Sequence, residues 1–592
     1  MKKIYLLAAA VCTLGFASCD IDDVENVGEL STSNFPVSET DGVATIAGVY
    51  ENLNEVNANP QESFFYLAQL AADDALGGGG SNDKLMQAED LMLSSGADMT
   101  NDFYKQRYEG INRANTLISA LPNTKMSDDL KTQLMGEAKF LRAFYYYELS
   151  SMYGNVPLRT EPGGETATQG NIEDIWKQIL MDLRDAAQTM PAVRRTDGRI
   201  DKYQAEGMLA RAWLFYTGFF CNGSTIADLT STNYAPLTSV QLPDETTLTK
   251  EDVIKYVDDC VNNSGYALVP DFRNLWAYTN RCTVEDWDQT KGLGLKWCQD
   301  DEAGKWNSDD VEYMFSIKFN KQAAWSSTST IGYANGYALH FGVRGNSDDA
   351  KRTFPFGQGW GAGPVAPNLL SDWKAAEPND MRRAWTIKNL ADYPNYKWNG
   401  DNCMQETALY NMKLGPIVCW NEDSTKIYSS FETLMYGPND GSWDVSGFDN
   451  FQLDHIHDLC LLRFADVLLM QSELKEDVAP LNKVRARAGL PALSSYSLRA
   501  LQNERRWELA MEGIRWNDIR RWHIAAGVLS RQENQPIKTQ GNDDVNKPHN
   551  GGYAARYNAT AGFAKMPETQ VAIGAVKQNE GWTGSDSDYG AW

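Results

Sequence analysis

Tryptophan is concentrated in one stretch of this chain, between Trp276 and Trp443, which holds eleven of the 18 tryptophans. Most of these rings follow no helical repeat and lie among Gly, Asn, Asp and Tyr residues. Large rings on irregular backbone suit a binding surface, because they offer wide contact areas and loops often carry function. The alternative is that most of them fill a core. The full set is Trp276, Trp287, Trp297, Trp306, Trp325, Trp360, Trp373, Trp385, Trp398, Trp420 and Trp443.

A glycine-rich stretch is the second candidate, with four consecutive glycines at 77–80. Four glycines require an irregular loop, because glycine disfavours regular helix and strand. The stretch is not a phosphate-binding P-loop, since no Gly-Lys-Ser/Thr follows at the required offset. Either the loop is a flexible turn, or it presents its polar neighbours to a ligand. Those neighbours are Asp73, Asp74, Asn82 and Asp83.

Signatures of catalysis and of metal binding are weak. A glycosidase needs two carboxylates at a set separation, but 79 acidic residues offer pairs everywhere and none stands out. No nucleophile-elbow motif is present. His455 and His457 could direct two imidazoles to one face of a strand, but no third ligand is indicated, so an incidental exposed pair is favoured. We predict no catalytic residue, no metal ligand and no cofactor; a structural calcium ion is left open.

The N-terminus predicts export and lipid anchoring. Two lysines precede an apolar run at 4–17, which is too short to span a bilayer and is typical of a signal peptide. Small residues then lead to Cys19, as in a bacterial lipobox, where cleavage precedes the cysteine and acyl chains are attached. A plain secretory signal is the alternative. We predict a signal peptide at 1–18, lipidation of Cys19 and an acidic tether at 19–35.

The charge balance excludes some classes of partner. The chain has 54 basic and 79 acidic residues, a net charge of −25. Removal of the two N-terminal lysines with the signal peptide changes the balance to 52 − 79 = −27. Such a chain is repelled by nucleic acid phosphates and by anionic membrane surfaces, and it suits a neutral or cationic ligand.

Seven cysteines follow Cys19, and an odd number cannot be fully paired. They show neither a C-x-x-C motif nor zinc-site spacing. In an oxidising compartment Cys282 could bridge Cys298, or Cys403 could bridge Cys419. We predict that these cysteines are mostly structural.

Helical periodicity dominates both ends of the chain and mostly fails between about 266 and 450, which is loop-rich. Aligning Arg142 with Arg211 gives an offset of 69 residues, close to two periods of the 34-residue tetratricopeptide helix pair. The many arginines near Glu and Asp at three- and four-residue spacing predict ion-paired helix packing. The predicted helices are 99–122, 127–153, 171–190, 201–220, 249–263, 369–376, 458–473, 481–490, 498–509 and 512–522, with a strand at 312–319.

Four blocks of sequence together resemble the SusD/RagB family of outer-membrane glycan-binding lipoproteins. The lipobox fits the same family, as does the ending that contains Pro567, Gln578 and Asn579. Two departures are minor, Gln471-Ser472-Glu473 and Glu580-Gly581-Trp582. The blocks are Glu137–Ala143 continuing through Tyr153–Leu158, Arg463–Met470, Leu481–Leu490, and Glu504–Leu509 continuing to Trp522.

The resemblance implies a mostly α-helical fold, in which tetratricopeptide-like helix pairs form a right-handed superhelix and a loop-rich, partly β region packs against it. We expect one domain at 36–592, with a scaffold at 36–265 and 455–525, a ligand-binding region at about 266–450 and a tail at 530–592. The implied role is non-enzymatic: a surface-exposed, lipid-anchored outer-membrane protein that delivers oligo- or polysaccharide to a SusC-like TonB-dependent transporter. A peptide-binding or other nutrient-binding lid is the alternative, and a glycoside hydrolase is a further rival.

Sugar binding also suits the residues themselves, because pyranose faces pack on aromatic rings and edge hydroxyls need polar partners. In such proteins the ligand surface comes from the loop-rich part together with an early loop. The residues predicted to stack on a glycan are Trp287, Trp306, Trp325 and Trp360, with Tyr333 and Tyr337 behind them. Those predicted to hydrogen-bond it are Asp73, Asn82 and Asp83. Those predicted to lie in the core are Trp176, Trp213, Trp373, Trp385, Trp507, Trp516 and Trp522.

Overall fold

Helices make up most of the regular structure of this protein. The computed structural model describes residues 35–36, 38–55, 59–81, 83, 101–163, 169–300, 310–319, 334–344, 350–393, 396, 403–421, 423–436, 451–547 and 551–582. Among these residues no helix is both long enough and apolar enough to cross a membrane.

The described helices are α1 (Glu39–Glu55), α2 (Phe64–Ala71), α3 (Asn101–Ala120), α4 (Asp128–Tyr153), α5 (Ile172–Thr189), α6 (Lys202–Phe219), α7 (Ile226–Leu229), α8 (Lys250–Asn263), α9 (Gly336–Phe341), α10 (Ala350–Thr353), α11 (Pro367–Ala376), α12 (Met381–Ala384), α13 (Phe431–Tyr436), α14 (Phe464–Lys475), α15 (Val478–Arg487), α16 (Leu498–Glu508), α17 (Arg515–Arg521), α18 (Ala525–Leu529), α19 (Tyr553–Thr560) and α20 (Glu568–Ala572). The strands are β1 (Ser239–Gln241), β2 (Thr247–Thr249), β3 (Tyr313–Ile317), β4 (Val343–Arg344), β5 (Gln358–Gly359), β6 (Ile387–Asn389), β7 (Leu409–Asn411), β8 (Cys419–Trp420), β9 (Ile427–Tyr428), β10 (Leu459–Arg463), β11 (Pro536–Thr539) and β12 (Asn542–Val545).

Consecutive long helices pack side by side and form the scaffold. Helix α3 packs on α4, α4 on α5, α5 on α6, α6 on α8 and α8 on α14. The starts of α5, α6 and α8 are capped by Asn171, Asp201 and Thr249, whose side chains accept hydrogen bonds from backbone N–H groups of the first turn. The mostly α-helical architecture predicted from the sequence is therefore confirmed.

The two arginines that define the 69-residue offset have equivalent roles. Arg142 of α4 donates two hydrogen bonds to Asp182 of α5, at 2.7 and 2.8 Å. Arg211 of α6 binds Asp466 of α14 at 2.6 Å. Each arginine thus joins its helix to a later one through a buried carboxylate.

The prediction of one helix over 458–473 is wrong in its first turn. Residues Leu459–Arg463 form strand β10, which pairs antiparallel with β3, and helix α14 begins only at Phe464. The run of apolar residues at 459–462 is compatible with either structure, because continuous apolar sequence has no period that separates a buried strand from a helix. Pairing with the predicted strand β3 decides the outcome.

The loop-rich region has its own aromatic core beside the scaffold. It contains Trp276, Tyr278, Trp287 and Trp297, all nearly inaccessible to solvent. The short sheet of β8 with β9 contributes Cys419 and Tyr428 to this core, whereas the sheet of β6 with β7 packs in separate clusters. The irregular backbone is therefore held by ring packing more than by extended sheet.

The proposed disulfide bonds are not formed, because none of the seven cysteines in the described part of the chain is paired in a disulfide. Cys282 packs against the aromatic core, and Cys403 and Cys419 are buried. Burial raises the pKa of the Cys282 thiol to about 12, so it stays protonated and unreactive at neutral pH. The structural role predicted for the cysteines is that of small buried side chains.

A buried cluster of ions joins the scaffold to the loop-rich region. The carboxylate of Glu508, at the end of α16, binds the guanidinium groups of Arg382, Arg463 and Arg487. Arg463 and Arg487 also bind Glu312, at 2.9 and 2.7 Å. All five side chains are at most 3% exposed.

The ion pairs of Asp466 predict a specific dependence of stability on pH. Burial alone would raise its pKa, but Arg505 and Arg211 lower that pKa to about 2. Asp466→Asn removes the anion that binds both Arg211 and Arg505, although Arg505 keeps its ion pair with Asp518, so we expect the free energy of unfolding at pH 7 to fall by about 2–3 kcal/mol. The stabilisation is fully present above the unfolded-state pKa of about 4 and is lost as the pH falls toward 2, so the gap between the two proteins should narrow in acid.

Urea unfolding of the wild-type and Asp466→Asn proteins at several pH values from 7 downward measures the difference between their free energies of unfolding. The exposed Asp244, which binds Arg184 at the surface, supplies the control. Asp244→Asn should change the free energy of unfolding by less than about 1 kcal/mol. If the difference in free energy of unfolding between wild type and Asp466→Asn grew as the pH fell, the lowered pKa of Asp466 would be contradicted.

Candidate functional site

The glycine-rich loop is pinned along its length and is not a flexible turn. Its backbone runs antiparallel to the segment 361–365: Leu76 N–H donates to Pro364 O at 2.9 Å, and Gly79 N–H donates to Gly361 O at 2.8 Å. Gly78 has a φ of 69°, and an added Cβ would lie 2.3 Å from Pro364 Cδ. The glycines are therefore needed for a close, left-handed backbone contact.

The first two acids of this loop point into the protein. Arg515 donates to Asp73 at 2.7 Å, and Arg506 donates to Asp74 at 2.8 Å. Burial would raise the pKa of Asp73, but Arg506 and Arg515 hold it well below its usual range. The prediction that Asp73 hydrogen-bonds a glycan is wrong, because its carboxylate is fully buried and anchors the loop to α16 and α17.

Asp83 remains at the surface and lies beside Trp360, another of the predicted residues. Arg344 joins them: its Nη1 donates to Asp83 Oδ2 at 3.1 Å and to the backbone O of Trp360 at 2.9 Å. The backbone N–H of Gly80 donates to the same Asp83 oxygen at 2.6 Å. A Cβ on Gly80 would lie 2.3 Å from Arg344 Nη2, so a larger residue here would displace the Arg344 guanidinium. We call Asp83, Arg344 and Trp360 the surface platform.

The Trp360 ring rests on a buried histidine. The ring centroids of Trp360 and His340 are 4.5 Å apart, and His340 Nδ1 lies 3.1 Å from the Tyr66 hydroxyl on α2. Burial lowers the pKa of His340 to about 3, so the imidazole is neutral at physiological pH. The half-buried indole is thus supported from below by the scaffold.

Two other predicted stacking residues lie in the core. Trp287 is 4% exposed and packs edge-to-face on Phe356 and Trp385, at 5.8 and 5.6 Å between ring centroids. Tyr337 is 1% exposed, and its hydroxyl donates to Ser63 Oγ at 2.8 Å. Both predictions of glycan contact are wrong, because neither ring has a face open to solvent.

Five predicted residues lie outside the described part of the chain, and their predictions stay open. They are Cys19, Asn82, Trp306, Trp325 and Tyr333.

The tryptophans assigned to the scaffold core are buried as predicted. Trp373 is fully buried and stacks on Trp507 with ring centroids 5.3 Å apart. Trp385 differs, because it is half-buried; one face stacks on Tyr278 and the Arg273 guanidinium lies over the ring. The fully buried members also include Trp176, Trp213, Trp516 and Trp522.

Arg344 is the platform residue that the sequence analysis missed. It supplies the positive charge beside Asp83, and its backbone O accepts a hydrogen bond from the Tyr396 hydroxyl at 3.2 Å. The only signal in the sequence is an isolated arginine in the glycine-rich run 342–347. Such a residue is common on surfaces, so it becomes informative only when the fold brings it to Asp83.

The histidine pair is buried, which corrects the prediction of an exposed pair. His457 Nδ1 lies 2.8 Å from Glu432 Oε1, whereas His455 Nε2 lies 2.8 Å from the backbone O of Phe451. The two imidazoles therefore serve different partners. Across the described ranges, no group of three or more His, Cys, Asp or Glu side chains is arranged to hold a metal ion.

Gly78→Ala should destabilise the protein, because the new Cβ meets Pro364 and the oxygen of Gly361 at 2.5 Å or less on backbone with positive φ. We expect the free energy of unfolding to fall by about 1–3 kcal/mol. Gly48→Ala is the matched control, since a Cβ there has no neighbour within 4 Å and the position is inside helix α1. It should raise stability by about 0.5–1 kcal/mol. Urea unfolding measures both, and equal stability of Gly78→Ala and wild type would refute the pinned loop.

Comparison with known proteins gives two family matches that cover different parts of the chain. A family model described as starch-binding and associating with the outer membrane matches residues 28–214. The model of the SusD family matches residues 357–582. Together they include most of the scaffold, the platform residue Trp360 and the C-terminal segments.

Curated relatives and solved structures agree with these matches. SusD-like protein P2 of Formosa agariphila is 24% identical over 589 residues, covering 93% of this chain and 96% of its own length. A SusD-like protein of Bacteroides ovatus is 22% identical over 70% of this chain and 64% of its own.

Two solved structures share the fold over nearly the full length. A laminarin-binding SusD-like protein superposes with a TM-score of 0.67 at 21% identity, covering 92% of this chain and 100% of its own. The surface glycan-binding protein A from Bacteroides thetaiotaomicron, in complex with laminarihexaose, has a TM-score of 0.62 at 18% identity, with coverages of 92% and 100%. The sequence blocks, the helical scaffold and the family matches lead to one conclusion: this chain belongs to the SusD/RagB family.

Proposed function

We propose that this protein is a cell-surface lipoprotein that binds an oligo- or polysaccharide at the surface platform and passes it to a SusC-like TonB-dependent transporter. One arrangement carries the proposal: Arg344 binds both the carboxylate of Asp83 and the backbone O of Trp360, whose indole is half-buried and rests on His340. The names of the relatives support it, since one binds laminarin and another was solved with laminarihexaose.

The platform has the chemistry that a sugar ring requires. The C–H face of a pyranose packs on an aromatic ring, while its hydroxyls both donate and accept hydrogen bonds. Trp360 offers the ring, Asp83 accepts and Arg344 donates. Because the ion pair and the hydrogen bond from Gly80 hold these groups before binding, little conformational entropy is lost when a sugar arrives.

The ligand that fits this protein best is a neutral glycan. A net charge of −25 opposes the approach of polyanionic polysaccharides, although salt screens this repulsion at separations beyond the Debye length of about 8 Å. On the platform, the positive charge of Arg344 is balanced by Asp83. Uncharged glucans such as laminarin are therefore the first ligands to test.

Binding without hydrolysis is the mechanism we favour. Asp83 is ion-paired with Arg344, which holds its carboxylate in place as a hydrogen-bond acceptor. Burial raises the pKa of Glu406 to about 7, but this carboxyl group is only 1% exposed and lies under the surface beside Tyr410. A glycosidase needs two carboxyl groups that both reach the sugar.

Trp360→Ala should weaken glycan binding by about tenfold to a hundredfold, which corresponds to about 1.4–2.8 kcal/mol of lost stacking and burial. Isothermal titration calorimetry against laminarin, starch, xylan and mannan oligosaccharides measures the loss. Trp420→Ala is the matched control, because Trp420 is another half-buried tryptophan of the loop-rich region, packed near Phe354. Its affinity should stay within twofold of wild type.

The same samples distinguish the rival functions. Chromatography of the glycans after incubation detects hydrolysis, and release of shorter oligosaccharides would refute binding alone. Binding of peptides in the absence of any glycan binding would establish the alternative nutrient class. If Trp360→Ala and Trp420→Ala lost glycan affinity equally, a direct contact of Trp360 with the glycan would be refuted.

The transfer step predicts a stable partner in the outer membrane. The full chain, tagged at its C-terminus and purified from detergent-solubilised membranes of its host, should co-purify with a TonB-dependent transporter. Cys19→Ala should still bind glycan in solution but should no longer incorporate labelled palmitate, because the acylated thiol is absent. Palmitate label on the Cys19→Ala protein, or its absence from the wild-type protein, would contradict lipidation at Cys19.

A further inference from the structure

A second cavity, formed by other elements than the platform, lies on the helical scaffold. It has a volume of 480 Å³ and is bounded by helix α3, the segment 157–163 and the C-terminal segment 570–575. Cavities of a few hundred Å³ are typical of small-ligand sites. We call it the α3 cavity.

The walls of the α3 cavity are held in place before any ligand binds. The Tyr108 hydroxyl donates to Pro157 O at 2.6 Å, and Gly163 N–H donates to Asn112 Oδ1 at 2.9 Å. The C-terminal segment 570–575 is held next to helix α3 by the preceding residue, because Thr569 Oγ1 donates to Asn101 Oδ1 at 2.5 Å. A preorganised cavity binds with a smaller entropic cost than one that must form.

Two tyrosines provide an aromatic surface in this cavity. Tyr104 and Tyr108 have ring centroids 4.9 Å apart, with their planes inclined at 48°. Tyr104 is 4% exposed and packs on Tyr153, so it supports the half-buried ring of Tyr108 from behind. Tyr108 is therefore the ring that a ligand can contact.

Three polar side chains of the lining are free to meet a ligand. The guanidinium of Arg159, the carboxylate of Glu109 and the amide of Gln570 make no side-chain hydrogen bond or ion pair with another described residue. Lys105, also in the lining, already binds Asp102 at 3.3 Å. The free groups thus comprise a cation, an anion and an amide, with no excess of charge.

We propose that the α3 cavity is a second saccharide site, which takes a short neutral oligosaccharide or the end of a longer chain. Hydroxyl groups can accept from Arg159 and Gln570 and donate to Glu109, while a pyranose face lies against Tyr108. An anionic ligand would meet the carboxylate of Glu109, and an apolar ligand would leave all three polar groups unsatisfied.

The α3 cavity shares no lining residue with the surface platform, so a ligand could bind in the cavity whether or not one binds at the platform. Its consequence for the protein is a second point of attachment for a polysaccharide that reaches both sites. Two linked contacts raise the apparent affinity for long chains without any new interaction at the first site.

Reciprocal variants test the second site separately from the first. Trp360→Ala removes the platform's ring, and the double variant Arg159→Ala/Gln570→Ala removes two donors of the α3 cavity at partly exposed positions. The probes are the di- to hexasaccharides of laminarin, starch, xylan and mannan, with binding followed by saturation-transfer NMR and calorimetry. Circular dichroism and thermal unfolding verify that both proteins fold.

We expect the Trp360→Ala protein to keep binding at least one probe, and we expect addition of the double substitution to weaken that binding at least tenfold. A crystal of Trp360→Ala soaked with that probe should show it against Tyr108. The second site is refuted if the Trp360→Ala protein binds none of these oligosaccharides, or if adding Arg159→Ala/Gln570→Ala leaves its binding unchanged. If the single variant Trp360→Ala loses all oligosaccharide binding, the second site is refuted, but the proposal that glycans bind at the platform still stands.

Discussion

The carboxylate of Glu508 is the contact on which the arrangement of the two regions depends. It joins Arg382 of the loop-rich region to Arg463 at the end of β10 and Arg487 of α15, all out of contact with water. Burial would raise the pKa of Glu508, but these three guanidinium groups hold it well below its usual range. Such a cluster adds little net stability over apolar packing, yet any shift of one region leaves a buried charge unpaired. The cluster therefore acts mainly by fixing the position of the loop-rich region relative to the scaffold.

The helical scaffold could be predicted because its determinants are local. Periodicity, caps and paired charges lie within each segment, and the helices predicted at 127–153 and 201–220 are observed at Asp128–Tyr153 and Lys202–Phe219. Strand β10 was missed because its partner lies more than a hundred residues away. Asp73 was misassigned for the same reason: the arginines that bury it are over four hundred residues distant in sequence.

The site was harder to predict than the fold, because aromatic residues on irregular backbone have no period that distinguishes an inner from an outer face. Trp287 and Trp360 look alike in sequence, but Trp287 is buried in the aromatic core whereas Trp360 is half-buried. Asp83 is partly exposed and follows the last glycine of the pinned loop by three residues, and its predicted hydrogen bond to a glycan stays a prediction. Arg344 could not be inferred, because its importance comes from a contact across 261 positions of sequence.

The platform and the α3 cavity are supported by different parts of the same scaffold. The platform rests on α2 through Tyr66 and His340, and its loop is anchored to α17 by the ion pair of Asp73 with Arg515. The α3 cavity instead uses the hydrogen bond of Tyr108 with Pro157, which follows α4. Because neither support includes a residue of the other, a change in one site need not deform its counterpart. A rigid helical stack can thus carry two preorganised surfaces, and selection can alter the ligand preference of either one separately.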